Sequence, residues 1–263
     1  MSQTLTLAGN GLNVEYERVG SGPVLVYLHG AFGLQWSMPL VQALAKHHTV
    51  VAPHMPGYGR SEGLERIGSF YDLSVWLDEV LDALKLDQVA IAGHDFGGAA
   101  AAEYAALYRR RIEQVVLLAP YGLWPQQGEP LTDIFALTPG ALTRVLYADP
   151  TGAHANDFNV QYPDKAQQDE AILARRQALI AAAKLMWPIP DKGLRRRLYR
   201  ITVPTLLIGA RQDAILPESY MKDFASAIAG ARLVMVQAGH MLPQEATAEV
   251  TQEICGFLQH ATA

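Results

Sequence analysis

The sequence predicts an α/β fold: a doubly wound, mostly parallel eight-stranded sheet carrying a helical insertion. Three observations support this. Short apolar runs alternate with longer helical patterns through most of the chain. The apolar runs are nearly continuous rather than alternating, as strands covered on both faces require. The alternation lapses over one proline-rich stretch and then resumes, which marks an insertion rather than a second sheet.

The strands are expected at 24–28, 49–52, 88–92, 115–119, 205–208 and 233–236. Two earlier ones fall within 4–7 and 12–19, on either side of the turn Gly9-Asn10-Gly11. A helix over 72–84 puts Leu73, Trp76, Leu77, Val80, Leu81 and Leu84 on one face. An alanine-rich helix over 99–107 follows a glycine pair, and a helix over 217–228 starts at Pro217 and stops before Gly230. Residues 121–200 break the pattern with Pro125, Pro130, Pro139, Pro150, Pro163, Pro188 and Pro190, and with a helical piece over 169–185. The division is therefore a core of residues 1–120 and 201–263 with a cap of residues 121–200 inserted into it. An insertion at the carboxyl ends of parallel strands roofs the crevice where such sheets bind ligands.

Composition excludes several classes. Of 263 residues, 50% are hydrophobic and 18% charged, which supplies a large core and rules out a disordered or fibrous chain. A net charge of −5 gives no attraction for nucleic acid or an anionic membrane. The lone Cys255 allows no internal disulfide and reads as a small buried hydrophobe. Residues 1–10 lack the basic start and apolar stretch of a signal peptide, and no apolar run approaches the ~18 residues of a membrane span. A cytoplasmic protein acting on a small molecule is expected. The basic cluster Arg195-Arg196-Arg197 with Arg200 reads as a solvated helix face. No pattern speaks to oligomeric state.

The chemistry gathers around Gly93-His94-Asp95-Phe96-Gly97-Gly98, which runs from an apolar strand through a sharp turn into a helix. Small residues flank the central position because the turn brings backbone segments together and strains the residue it displays. Asp95 occupies that position, and the N–H of Phe96 points where an oxyanion would form. Asp213 follows the strand at 205–208, and His240 follows the strand at 233–236. A nucleophile, an acid and a histidine, in that order and each in a loop beyond a strand's carboxyl end, make a catalytic set. The turn His29-Gly30-Ala31-Phe32-Gly33 supplies the second oxyanion donor, the N–H of Ala31, with that of Phe32 as the alternative. His29 and His94 read as packing residues.

With these motifs together, the chain resembles the α/β-hydrolase superfamily over nearly its full length. Pro56-Gly57-Tyr58-Gly59-Arg60-Ser61 matches a loop common there, although many members read Asp where this chain has His54. An aspartate on the elbow resembles epoxide hydrolases and the haloalkane and haloacetate dehalogenases. Segments such as Trp187-Pro188-Ile189-Pro190 and Ala238-Gly239-His240-Met241 instead resemble esterases and carbon–carbon-bond hydrolases with a serine nucleophile.

An ionised carboxylate needs no base to activate it and forms a stable ester only at saturated carbon. The aspartate therefore implies an alkyl-ester intermediate on Asp95, cleaved by a water that His240 and Asp213 activate, with no metal or organic cofactor. A halide leaving group is poorly served, because Phe96 and Ala31 offer no side-chain donor. Gly98, Ala99 and Ala100 stand where haloacetate dehalogenases carry arginines. An epoxide needs a cap acid, and the candidates are Tyr121, Tyr147, Tyr162 and Tyr199, with Tyr147 nearest the position the resemblance implies. Phe32 replaces a proline usual in epoxide hydrolases. Phe32, Trp124, Tyr147 and Trp187 are expected to line an apolar substrate crevice. Two other readings stand beside this one: a serine-hydrolase relative with Asp95 in place of serine, and a non-catalytic ligand-binding protein.

Overall fold

Why the chain closes into one sheet follows from where its strands stop. The computed structural model describes residues 2–125, 131–188 and 191–260; Met1, Pro130, Ile189 and Pro190 of the sequence reading lie outside them. The strands are β1 Ser2–Thr6, β2 Asn13–Val19, β3 Val24–Leu28, β4 Thr49–Pro53, β5 Val89–His94, β6 Ile112–Leu118, β7 Thr205–Ala210 and β8 Arg232–Val236. They form one eight-stranded sheet in the order β1-β2-β4-β3-β5-β6-β7-β8. The β1/β2 and β2/β4 pairs are antiparallel and the rest parallel. β3 to β7 are almost entirely buried, which is why their sequences read as unbroken apolar runs.

Helices cover both faces. On the amino-terminal side of the insertion these are α1 Met38–Leu44, α2 Phe70–Ala83 and α3 Asp95–Leu107. Between β6 and β7 the chain forms α4 Pro139–Leu146, α5 Ala153–Phe158 and the long α6 Lys165–Met186, and among the described residues of that segment no strand. Then come α7 Glu218–Ser226, α8 Leu242–Glu245 and α9 Thr247–His260. Among the described residues no helix is long and apolar enough to cross a membrane.

One boundary differs from the sequence expectation. α3 begins at Asp95, not four residues later, so the glycine pair lies inside its first turn. Glycine is disfavoured in helices, but here close approach decides. A Cβ on Gly97 would sit 2.3 Å from the Leu28 carbonyl oxygen, and one on Gly93 2.2 Å from that of Gly97. The bare backbone lets α3 lie directly against the ends of β3 and β5. These strands flank the point where the strand order reverses, the place at which open α/β sheets bind ligands.

Candidate active site

Asp95 sits on that reversal point in a backbone conformation few residues accept. Its φ is +53°, in the left-handed region, a strain of about 1–3 kcal/mol that persists only where surroundings impose it. Two contacts do so. The Tyr121 N–H donates to the Asp95 carbonyl at 3.1 Å. The Ala31 N–H donates to Oδ2 of the Asp95 side chain at 2.8 Å. The expected oxyanion donor is thus engaged by the elbow's own carboxylate. Phe96 follows in the first turn of α3, where backbone N–H groups lack intrahelical partners, and its ring packs edge-on against Phe70.

His240 and Asp213 arrive from the far half of the sheet. Nδ1 of His240 lies 2.8 Å from Asp213 Oδ2. The other Asp213 oxygen accepts the N–H groups of Ile215 and Leu216, so the carboxylate cannot rotate freely. Nε2 of His240 faces Asp95 Oδ1 at 3.5 Å, an ion-pair separation longer than a hydrogen bond. Asp95 and His240 are each 1% exposed. Burial opposes charge on the His240 ring, but the two carboxylates prevail and raise its pKa to about 10. Burial likewise opposes charge on Asp95, yet His240 and the Ala31 N–H hold its pKa below the usual carboxylate value. At neutral pH the resting site is an imidazolium between two carboxylates.

Two further histidines brace this set without charge. His29 accepts the Met55 N–H on Nε2 at 3.1 Å and donates from Nδ1 to the Gly30 carbonyl at 2.8 Å. His94 donates from Nε2 to the His240 carbonyl at 2.9 Å. Its Nδ1 side fills the space beside Gly30, where a Cβ would lie 2.9 Å away. Burial depresses both, His29 to about 3 and His94 to about 4.

These shifts fix a pH dependence of stability. His240, raised above its unfolded value near 6.5, contributes stability that is complete below that value and lost as pH climbs through about 10. His29 and His94, depressed, oppose folding once pH falls below about 6.5. The melting temperature is expected to peak near neutrality and fall on both sides. Asp95→Asn removes the anion beside His240 and is expected to flatten the alkaline limb; an unchanged limb in thermal melts between pH 7 and 11 would count against the ion pair.

The expected substrate-contact residues divide. Phe32 and Tyr147 come together, both packing edge-on against Phe158 at the end of α5. Trp124 and Trp187 do not join them. They are 44% and 55% exposed, and the Trp187 indole donates to Asp133. Both keep much of their surface in contact with solvent. The candidate acids spend their hydroxyls on other partners, although the Tyr121 ring itself packs edge-on against that of His240. The hydroxyl of Tyr147 donates to Gln244 at 2.8 Å and that of Tyr121 to the Thr132 carbonyl at 3.2 Å. Tyr162 and Tyr199 are exposed.

The residues that do close over the site include two the sequence reading left without a role. The Tyr58 hydroxyl lies 3.0 Å from the carbonyls of both Ala31 and Ala178, joining the oxyanion turn to α6. The Tyr220 hydroxyl donates to the Pro120 carbonyl and accepts the Leu123 N–H, pinning the strand-to-insertion turn over Asp95. Burial and the nearby Asp95 raise the pKa of both phenols, so they stay neutral. The only cue for Tyr58 was its place in the 56–61 loop; Tyr220 gave none.

The family model for the alpha/beta hydrolase fold matches residues 23–246. The chain belongs to the α/β-hydrolase family. Among its relatives is the 2-hydroxymuconate semialdehyde hydrolase of Pseudomonas sp. (strain CF600), 26% identical over 96% of this chain and 93% of that one. A 2-hydroxy-6-oxononadienedioate/2-hydroxy-6-oxononatrienedioate hydrolase of Burkholderia vietnamiensis is 31% identical over 80% of this chain and 77% of its own. Among solved structures, a meta-cleavage product hydrolase from Pseudomonas fluorescens IP01 superposes with a TM-score of 0.76 at 22% identity, covering 98% of each chain. At that identity the likeness speaks for the fold. This α/β hydrolase differs from a serine enzyme of the same fold at the elbow, where Asp95 brings a permanent charge.

Proposed function

We propose that this protein hydrolyses a small, largely apolar substrate through a covalent alkyl ester on Asp95, with an epoxide as the substrate class that fits best. The observation carrying this reading is the Ala31 N–H on Asp95 Oδ2. With one carboxylate oxygen held in the oxyanion position, the other, Oδ1, has no hydrogen-bond partner, only the longer ion pair to His240, and is the nucleophile. Attack by Oδ1 on a saturated carbon leaves Oδ2 as the ester carbonyl oxygen, already seated on the donor that must stabilise it in the second step. A carbonyl substrate attacked directly would have to place its own oxyanion where Oδ2 already sits.

Charge then changes the role of His240. Alkylation removes the Asp95 anion and with it part of what holds the imidazolium charged. The ring gives up its proton, which neutralises the alkoxide left when the epoxide opens, and becomes the base that takes a proton from water, with Asp213 fixing the tautomer. Water attacks the Asp95 carbonyl carbon, the Oδ1–alkyl product leaves, and the carboxylate re-forms. A strained ring suits this site, because it opens with the least help and the Tyr121 and Tyr147 hydroxyls are engaged elsewhere. Residues 121–200 serve as the cap that excludes bulk water.

A second reading is supported by the relatives, which are named as hydrolases of carbonyl compounds such as 2-hydroxymuconate semialdehyde: an acyl-type enzyme in which Asp95 stands for serine and His240 directs water at the substrate carbonyl. Isotope labelling separates the two. In ¹⁸O-water, a single turnover of a styrene-type epoxide is expected to give product bearing unlabelled oxygen from Asp95. An added product oxygen that comes from solvent in that first turnover overturns the covalent route. Labelled acid from p-nitrophenyl esters, with no epoxide turnover, favours the second reading.

A further inference from the structure

The buried face of α6 carries Ala178, Ala181, Ala182, Leu185 and Met186. Its opposite face points outward and sets apolar side chains among charged ones. Leu173 and Ile180 on that face are 57% and 64% exposed, and Trp187, 55% exposed, follows just past the helix end. Leu173 and Ile180 are spaced by seven residues, almost two helical turns, so they share one stripe. Apolar side chains this exposed and aligned mark an interaction surface.

The charges beside the stripe are ordered. Asp169 and Glu170 flank its amino-terminal end and Lys184 its carboxyl-terminal end, with Arg176 and Gln177 between. We propose that this face pairs antiparallel with the same face of a second copy of the chain, about a two-fold axis beside Arg176 and Gln177. That axis sets Leu173 of one copy on Ile180 of the other, twice over. It brings Asp169 and Glu170 alongside the other copy's Lys184, lays Trp187 over the small Ala166, and sets Arg176 against Gln177 instead of another arginine. A two-fold interface requires such self-complementarity. Lys184 also donates to the Leu64 carbonyl and Asp169 pairs with Lys165, so the charges steer register more than they add affinity. A lipid surface fits less well, because membrane-lying helices carry mainly basic residues beside the apolar line, and here acids balance them. One helix pair is smaller than the ~1,200 Å² of a stable interface, so the dimer is concentration-dependent.

Sedimentation equilibrium over a wide concentration range tests this. The wild-type chain is expected to pass from monomer to dimer. Ile180→Glu is expected to raise the dissociation constant about tenfold or more, with Leu173→Lys as a second variant should the first melt early. Glu170→Lys and Lys184→Glu are each expected to weaken the dimer, and together to restore it. A chain that stays monomeric at the highest attainable concentration overturns the proposal. So does a dimer indifferent to both stripe variants, a double swap that fails to restore pairing, or a monomer that co-sediments with phosphatidylglycerol-containing vesicles through this face.

Discussion

His240→Gln is expected to stall the proposed reaction after its first chemical step. Glutamine keeps much of the ring's reach but cannot take a proton from water, so Asp95 is alkylated and the ester persists. Turnover is expected to fall by about 10²–10⁴-fold, the usual worth of a positioned general base. Intact-protein mass spectrometry after incubation with an epoxide is expected to show one added substrate mass, localised to the peptide containing Asp95. Lost turnover with unmodified protein would mean instead that His240 acts on a water attacking the substrate directly.

Arg197→Leu has the largest expected effect on stability. Glu103 lies buried on α3, the helix that Asp95 begins, and Arg197 reaches it from the segment leading back to the sheet, Nε to Oε1 at 2.6 Å. The guanidinium also donates to the second Glu103 oxygen and to the Lys192 carbonyl. Burial raises the pKa of Glu103 against the pull of Arg197. Removing the arginine leaves a carboxyl with neither water nor partner, a loss of about 3–5 kcal/mol. Replacing both residues with leucine avoids the orphaned charge and is expected to recover most of that loss in urea melts. If the single variant unfolds at the wild-type midpoint, the pair does not tie the returning segment to α3.

The sheet and the meeting of Asp95, Asp213 and His240 were legible because they are written in short-range patterns. A continuous apolar run names a buried strand, and a small-residue turn followed by a helix names the elbow, whatever the rest of the chain does. The commitments of single hydroxyls were not legible. Tyr147 looked like an acid for the site, yet its partner Gln244 lies far along the chain, and no spacing rule connects them. The same holds for Trp124 and Trp187, whose apolar character said nothing about which side of the insertion they would occupy. The early start of α3 was hidden because glycine weighs against helix locally, while the contact that demands it comes from β3.

The grip of Ala31 on Asp95 sits within a buried, charged cluster. Two carboxylates and one imidazolium leave an uncompensated negative charge there, and His29 and His94 add nothing to balance it. With almost no solvent contact, little of that charge is screened. An anionic molecule approaching the cluster would meet repulsion that a neutral one would not. If Asp95 is the nucleophile proposed above, its charge would then also act as an electrostatic filter on substrates.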